Sequence, residues 1–186
     1  MTLLLSRAEV MEVLNVDEAI NVVEEAFIEF TKGHVEMPQR PVIMVPEHHG
    51  LCAFMPAWLR TRGALAIKIV TAFKDNVGRG LPTIFGTIAL LDPETGVPLA
   101  IMDGGHLTAV RTGAASGVAT KYLAREDAHV VALFGAGVQG RTQLQAVCTV
   151  RKIDEVRVFD IDSEAAERFA QEMRGTGLHT YKDRCS

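Results

Sequence analysis

The chain has 186 residues, 48 % of them hydrophobic, and a formal net charge of −4 with no run of Lys or Arg longer than two. That is enough apolar material for one core or two small ones, without the basic footprint that nucleic acid or an anionic membrane selects. Three scattered cysteines, Cys52, Cys148 and Cys185, form no CxxC pair and cannot all pair internally, which argues against a disulfide framework or a zinc site and for a reducing, cytoplasmic setting. No stretch approaches the roughly 18 uncharged apolar residues of a membrane span, and the triplet Leu3–Leu5 falls far short of a signal sequence.

Leu3–Leu5 reads as a short strand, and Ser6 with Glu9 forms an S-x-x-E capping box behind it. Asp17 is the expected N-cap of a helix carrying Ile20, Val23, Phe27 and Phe30 on one stripe, closed by Gly33 and Pro38. Strands follow at Val42–Pro46, Leu51–Trp58 and Ala64–Phe73, the first two joined by a turn at His48-His49-Gly50. After a loop at Asp75–Gly80 come strands Ile84–Leu91 and Val97–Met102, joined by the turn Asp92-Pro93-Glu94-Thr95-Gly96. Leu107–Ala124 reads as a bridging helix whose Gly113, Ala114 and Gly117 leave a smooth face for a sheet or a partner chain. Beyond Arg125 the order is strand His129–Phe134, helix Val138–Val150, strand Glu155–Asp160, helix Ser163–Arg174 and a third strand at Leu178–Tyr181. The expected fold is therefore α/β: an α+β domain over residues 1–124, then the first half of a doubly wound Rossmann domain over 125–186.

Val130–Phe134 is an apolar run suited to a parallel strand buried on both faces, and it leads straight into Gly135-Ala136-Gly137-Val138-Gln139-Gly140. In this G-x-G-x-x-G fingerprint Gly135 permits the tight turn, Gly137 clears the space a pyrophosphate needs, and Gly140 lets the helix lie close to the strand. The helix N-terminus beyond it offers N–H groups to phosphate. Asp160, at the end of the second strand, is positioned to accept from the adenosine ribose. It is followed by Ile161 and Asp162, with no Lys or Arg for a 2′-phosphate, so NAD is the expected cofactor rather than NADP.

Three cations upstream invite a chemical reading. Strand alternation puts Lys68 on one face with Ala64, Ala66 and Val70, where a lysine must be paired, reach solvent, or work on a substrate amine. Arg40 lies between two prolines, Pro38 and Pro41, and Arg111 lies in the bridging helix. Either guanidinium could clamp a carboxylate or simply be solvated. His48 and His49 make no metal spacing with other ligands, so no metal is expected.

Five segments occur in order: Met37-Pro38-Gln39-Arg40, Ala66-Ile67-Lys68-Ile69-Val70, Gly80-Leu81-Pro82-Thr83, Leu107–Ser116 and Gly135–Gly140. Together they resemble the ornithine cyclodeaminase/mu-crystallin family. The resemblance implies an N-terminal substrate-binding domain that forms a homodimer, an NAD-binding domain, and hydride chemistry at the α-carbon of a small amino or imino acid. It assigns Lys68 to the active site, Arg40 and Arg111 to the substrate carboxylate, and Thr83, Arg111 and Thr112 to the cofactor cleft. The expected activity is ornithine cyclodeaminase, with alanine dehydrogenase or cyclic-imine reductase as alternatives. A non-catalytic binding protein is the rival reading. The chain stops near its third nucleotide-domain strand, and family members are longer. The resemblance thus implies a C-terminally truncated chain lacking the family's acid/base aspartate and inactive by itself.

Overall fold

The computed structural model describes residues 1–174 and the backbone of 179–182. Leu178 and Cys185, both named above, lie outside the described residues. Two compact units result: Met1–Asn15 with Glu25–Thr108, and Val16–Glu24 with Ala109–Ser186. This partition differs from the linear division after Ala124 in cutting within two long helices, between Glu24 and Glu25 and between Thr108 and Ala109.

The first unit is organised by one sheet. Its strands are β1 (Leu3–Leu5), β2 (Val35–Glu36), β3 (Val42–Val45), β4 (Gly50–Leu59), β5 (Ala64–Phe73), β6 (Ile84–Leu91) and β7 (Pro98–Asp103). They run in the order β1-β7-β6-β5-β4-β2, with β3 also on β4. Only β1 on β7 is parallel. The centre is the β4–β5 hairpin, paired from Gly50 opposite Phe73 to Leu59 opposite Ala64. A Cβ on Gly50 would stand 2.3 Å from the Phe73 ring, so the ring occupies the space that a side chain at this residue would need.

Polar caps set the element ends. Helix α1 (Arg7–Val13) starts at the expected capping box: Ser6 N–H donates to the Glu9 carboxylate at 2.8 Å, and Glu9 N–H to Ser6 Oγ at 3.4 Å. Helix α2 (Val16–Thr31) contains Asp17 in its first turn, two residues inside the cap position expected for it. Its C-terminus closes through left-handed Gly33 (φ +73°), with His34 N–H donating to the Glu29 carbonyl and Gly33 N–H to that of Phe30. Ile20 is buried and Val23 half-buried, but Phe27 and Phe30 are exposed, so the expected apolar stripe is covered over one half only. In the β6–β7 turn, Asp92 accepts from Glu94 and Thr95 N–H (2.8 and 2.9 Å), which holds its carboxyl below the usual aspartate range.

Helix α3 (Gly104–Leu123) starts three residues earlier than the pattern suggests, because the Asp103 carboxylate accepts from His106 N–H at 3.0 Å and caps a start made of two glycines. In the second unit it is followed by β8 (Val130–Phe134), α4 (Val138–Val150), β9 (Glu155–Phe159), α5 (Ser163–Arg174) and β10 (His179–Lys182). The strands are parallel in the order β10-β9-β8, the expected βαβαβ unit. Leu144 of α4, Phe169 of α5 and Val156 and Val158 of β9 form its core and are essentially sealed from solvent. Val131 and Leu133 of β8 pack against this core, whereas Val130 and Phe134 are exposed. Burial of β8 on both faces, expected from its composition, is therefore not seen among the described residues.

The smooth face of α3 packs on α4. A Cβ on Gly113 would lie 2.4 Å from the Thr142 carbonyl oxygen, and one on Gly117 would lie 3.2 Å from Ala146. Arg151 then closes the C-terminus of α3, donating to the carbonyls of Lys121 (3.0 Å) and Ala124 (3.4 Å). Because the atom facing Gly113 is backbone, Gly113→Ala should destabilise the second unit by about 1–3 kcal/mol, as overpacking does. A lower urea midpoint at unchanged m-value is the expected result, while an unchanged midpoint would mean that the two helices can separate freely.

Candidate functional site

The glycine turn joins β8 to α4, and each glycine meets a different constraint. Gly135 has φ +101°, a conformation other residues rarely adopt. A Cβ on Gly140 would fall 2.3 Å from the Gly135 carbonyl oxygen, so the first turn of α4 rests directly on the loop. Gly137 is the N-cap of α4, and a Cβ there would have nothing within 4 Å. Space is thus open at the start of α4, where the first-turn N–H groups, those of Val138 and Gln139 among them, have no carbonyl of their own helix to pair with, and room beside such donors is what a dinucleotide pyrophosphate requires.

Asp160 follows the last residue of β9 and ties the two strand ends together. One carboxylate oxygen accepts Ala136 N–H at 2.7 Å and the other accepts Asp162 N–H at 2.9 Å, while Gly135 N–H donates to the Phe159 carbonyl at 2.8 Å. The Ala136 N–H, followed by that of Asp162, holds the Asp160 carboxyl below the ordinary aspartate value. Asp160 is thus a loop anchor as well as the expected ribose acceptor. Asp162 caps α5, accepting from Glu164 and Ala165 N–H at 2.9 and 3.2 Å.

In the first unit the register defines a row across the sheet. Lys68 stands opposite Met55 on one side and Ile88 on the other, and Ile88 opposite Met102. Residues directly opposite share a face, so half-buried Lys68 is flanked by Met55 and Ile88. Arg40 reaches the same level: Val42 pairs with Ala53, and the Pro41 carbonyl accepts Phe54 N–H at 3.0 Å, which carries exposed Arg40 alongside Met55. Two strand spacings, about 10 Å, separate the Arg40 and Lys68 backbones. The first residues of α3 approach this face too, since a Cβ on Gly86 would stand 2.9 Å from the Gly104 backbone. Further along it lies a cavity of about 640 Å³, lined by Met44, Leu51 and Ala72 and by the His49–Asp75 pair, whose Nδ1 to carboxylate distance is 2.8 Å.

Lys68 and Arg40 therefore share one row, and the glycine loop and Asp160 form one hydrogen-bonded group. Thr83 is not brought to Lys68: its carbonyl accepts Phe73 N–H at 2.9 Å, five residues along the ladder, or about 17 Å away. Arg111, exposed, and Thr112, half-buried, lie on the part of α3 that belongs to the second unit. Two residues escaped the sequence reading. Met55 carries no chemical signal and becomes visible only through its register with Lys68. Arg141 carries a faint one, a cation at the fourth position of α4 where the helix dipole disfavours it. Among the described residues no three His, Cys, Asp or Glu side chains gather to hold a metal, and no helix is long and apolar enough to cross a membrane.

Comparison with known proteins gives the arrangement its relatives. Alanine dehydrogenase of Archaeoglobus fulgidus is 40 % identical over 177 residues, covering 95 % of this chain and 54 % of the relative. The structure of Thermococcus litoralis Δ1-pyrroline-2-carboxylate reductase with NADH and L-proline superposes with a TM-score of 0.94 at 45 % identity, covering 99 % of this chain and 57 % of that one. An archaeal alanine dehydrogenase dimer with bound NAD matches at TM-score 0.94 and 38 % identity, over 98 % of this chain and 56 % of that one. The chain thus spans little more than half the length of the proteins it matches. The ornithine cyclodeaminase/mu-crystallin family model covers residues 1–181, nearly everything from the first strand through the glycine turn to β10, and with that extent of agreement the chain belongs to the ornithine cyclodeaminase/mu-crystallin family.

Proposed function

We propose that the whole protein is an NAD-dependent oxidoreductase acting at the α-carbon of a small amino acid or of the corresponding imine. The observation that carries this reading is the glycine turn, with open space at Gly137, the start of α4 before it and the Asp160 carboxylate behind it. NAD, when bound there, supplies the hydride acceptor or donor. The Gly137, Val138 and Gln139 N–H groups hold its pyrophosphate, and Asp160 and Asp162 disfavour a 2′-phosphate. Arg40 and Arg111 take the substrate carboxylate through their guanidinium forks. Lys68 meets the substrate nitrogen and moves a proton to or from it. A homodimer through the first unit is part of the proposal. It is supported by the dimeric archaeal relative and by the exposed apolar residues Val42, Ile43 and Met44 on β3.

Within this chemistry the row around Lys68 favours a dehydrogenase or imine reductase over the cyclodeaminase that the sequence alone put first. A substrate held by Arg40 and Lys68 sets its side chain against Met55 and Ile88. Alanine, proline or a cyclic imine suits that wall. The distal ammonium of ornithine would lie there beside thioether and methyl groups, which offer its charge no partner within this row.

In the assay that separates these readings, NADH accumulates with L-alanine or L-proline, or is consumed with Δ1-pyrroline-2-carboxylate. Proline formed from ornithine with no net NADH would restore the cyclodeaminase. Gly137→Val should abolish NAD binding measured by calorimetry, because the side chain fills the space in front of α4. Lys68→Met should leave the cofactor Kd unchanged and lower kcat by roughly 100-fold, and activity within about threefold of the parent would remove Lys68 from the chemistry.

A further inference from the structure

Arg141 lies immediately after the last glycine of the turn, and its guanidinium is fully engaged in two directions. Nη1 donates to the Ala136 carbonyl at 2.6 Å and to the Gly137 carbonyl at 3.2 Å. On its other edge, Nε donates to Glu172 Oε1 at 3.0 Å and Nη2 to Oε2 at 2.5 Å, a bidentate pair with α5. The guanidinium carbon also sits 5.1 Å from the ring centroid of Phe169, a residue sealed in the core. Arg141 holds the Glu172 carboxyl below its usual range.

These contacts fix the direction of the groups that would meet a phosphate. A trans peptide points its C=O and N–H to opposite sides. With the Ala136 and Gly137 carbonyls turned toward Arg141, the Gly137 and Val138 N–H groups are turned away from it, toward the open space at Gly137. The peptide before Ala136 is fixed independently by Asp160, which accepts Ala136 N–H. Ala136 is thus gripped on its N–H by the Asp160 anion just beyond β9 and on its carbonyl by a cation from α4. A cation early in α4 opposes the helix dipole, and this grip supplies the reason for it.

We propose that Arg141, braced by Glu172, is a positioning residue that pre-orients the Gly137 and Val138 N–H groups for the cofactor pyrophosphate without touching the cofactor. The inference rests on the dinucleotide reading of this loop. It is tested by titrating the full chain with ADP, which carries a pyrophosphate, and with adenosine, which carries none. Arg141→Met should weaken ADP binding by about tenfold or more, the scale of hydrogen bonds from a charged donor, and leave adenosine binding unchanged. Arg141→Lys, which keeps the charge but not the fork, should recover part of the loss. Glu172→Gln, which loosens the brace but retains every loop contact, should give a smaller loss in ADP affinity and serves if Arg141→Met does not fold. ADP affinity equal to wild type in these variants, or adenosine affinity falling in parallel with ADP, would overturn the positioning role. A wild-type chain that binds neither ADP nor NAD would instead overturn the dinucleotide reading and this inference with it.

Discussion

The second unit depends on how closely backbone can approach backbone at Gly140. With no Cβ to intervene, the first turn of α4 rests on the Gly135 carbonyl, and the helix axis is set by that contact rather than by side-chain interdigitation. The opposite flank of the same helix is met just as closely by α3 at Gly113, whose neighbour is the Thr142 carbonyl, so α4 is wedged between two glycine contacts about half a turn apart along its length. What remains for side chains is the seal beneath, made by Leu144, Phe169, Val156 and Val158. A helix held in this way delivers its N-terminal N–H groups to a fixed place, and fixed donors lose little entropy when they take up a phosphate.

The first unit solves a different problem, that of keeping a lysine on a largely apolar face of a sheet. Ten paired residues in the β4–β5 hairpin make the register hard to slip, since a one-residue shift would send Lys68 to the opposite face. The Phe73 ring over Gly50 locks one end of that hairpin. The two units thus use opposite means, glycine contacts in one and strand register in the other, to place charged and polar groups reproducibly.

Much of this was legible in the sequence because the signals were local. The fold class follows from element order, and β5, β6, α4 and α5 have the bounds that alternation, the glycine turn and Ser163 suggest. The less legible features are those decided by partners distant in the chain. The start of α3 at Gly104 depends on the Asp103 cap, which two poor helix formers conceal. The exposure of Phe27, Phe30 and Phe134 reflects which faces find cover among the described residues, a matter no periodicity encodes. In the site, the glycines and Asp160 were readable because spacing defines them. The levels of Arg40 and Thr83 relative to Lys68 emerged only from the ladder, which brings Arg40 to the lysine's row and leaves Thr83 five residues away.

The hydrogen bonds of Asp160 and Asp162 bear on how cofactor preference could drift. Both carboxylates are committed to backbone N–H groups, one steadying the glycine turn and the other starting α5, so exchanging either would alter architecture along with charge. Ile161 between them is almost entirely exposed, at 97 %. A cation introduced at Ile161 would add attraction for a 2′-phosphate while leaving both anchors in place. The route from one dinucleotide to the other therefore runs through the residue that the scaffold uses least.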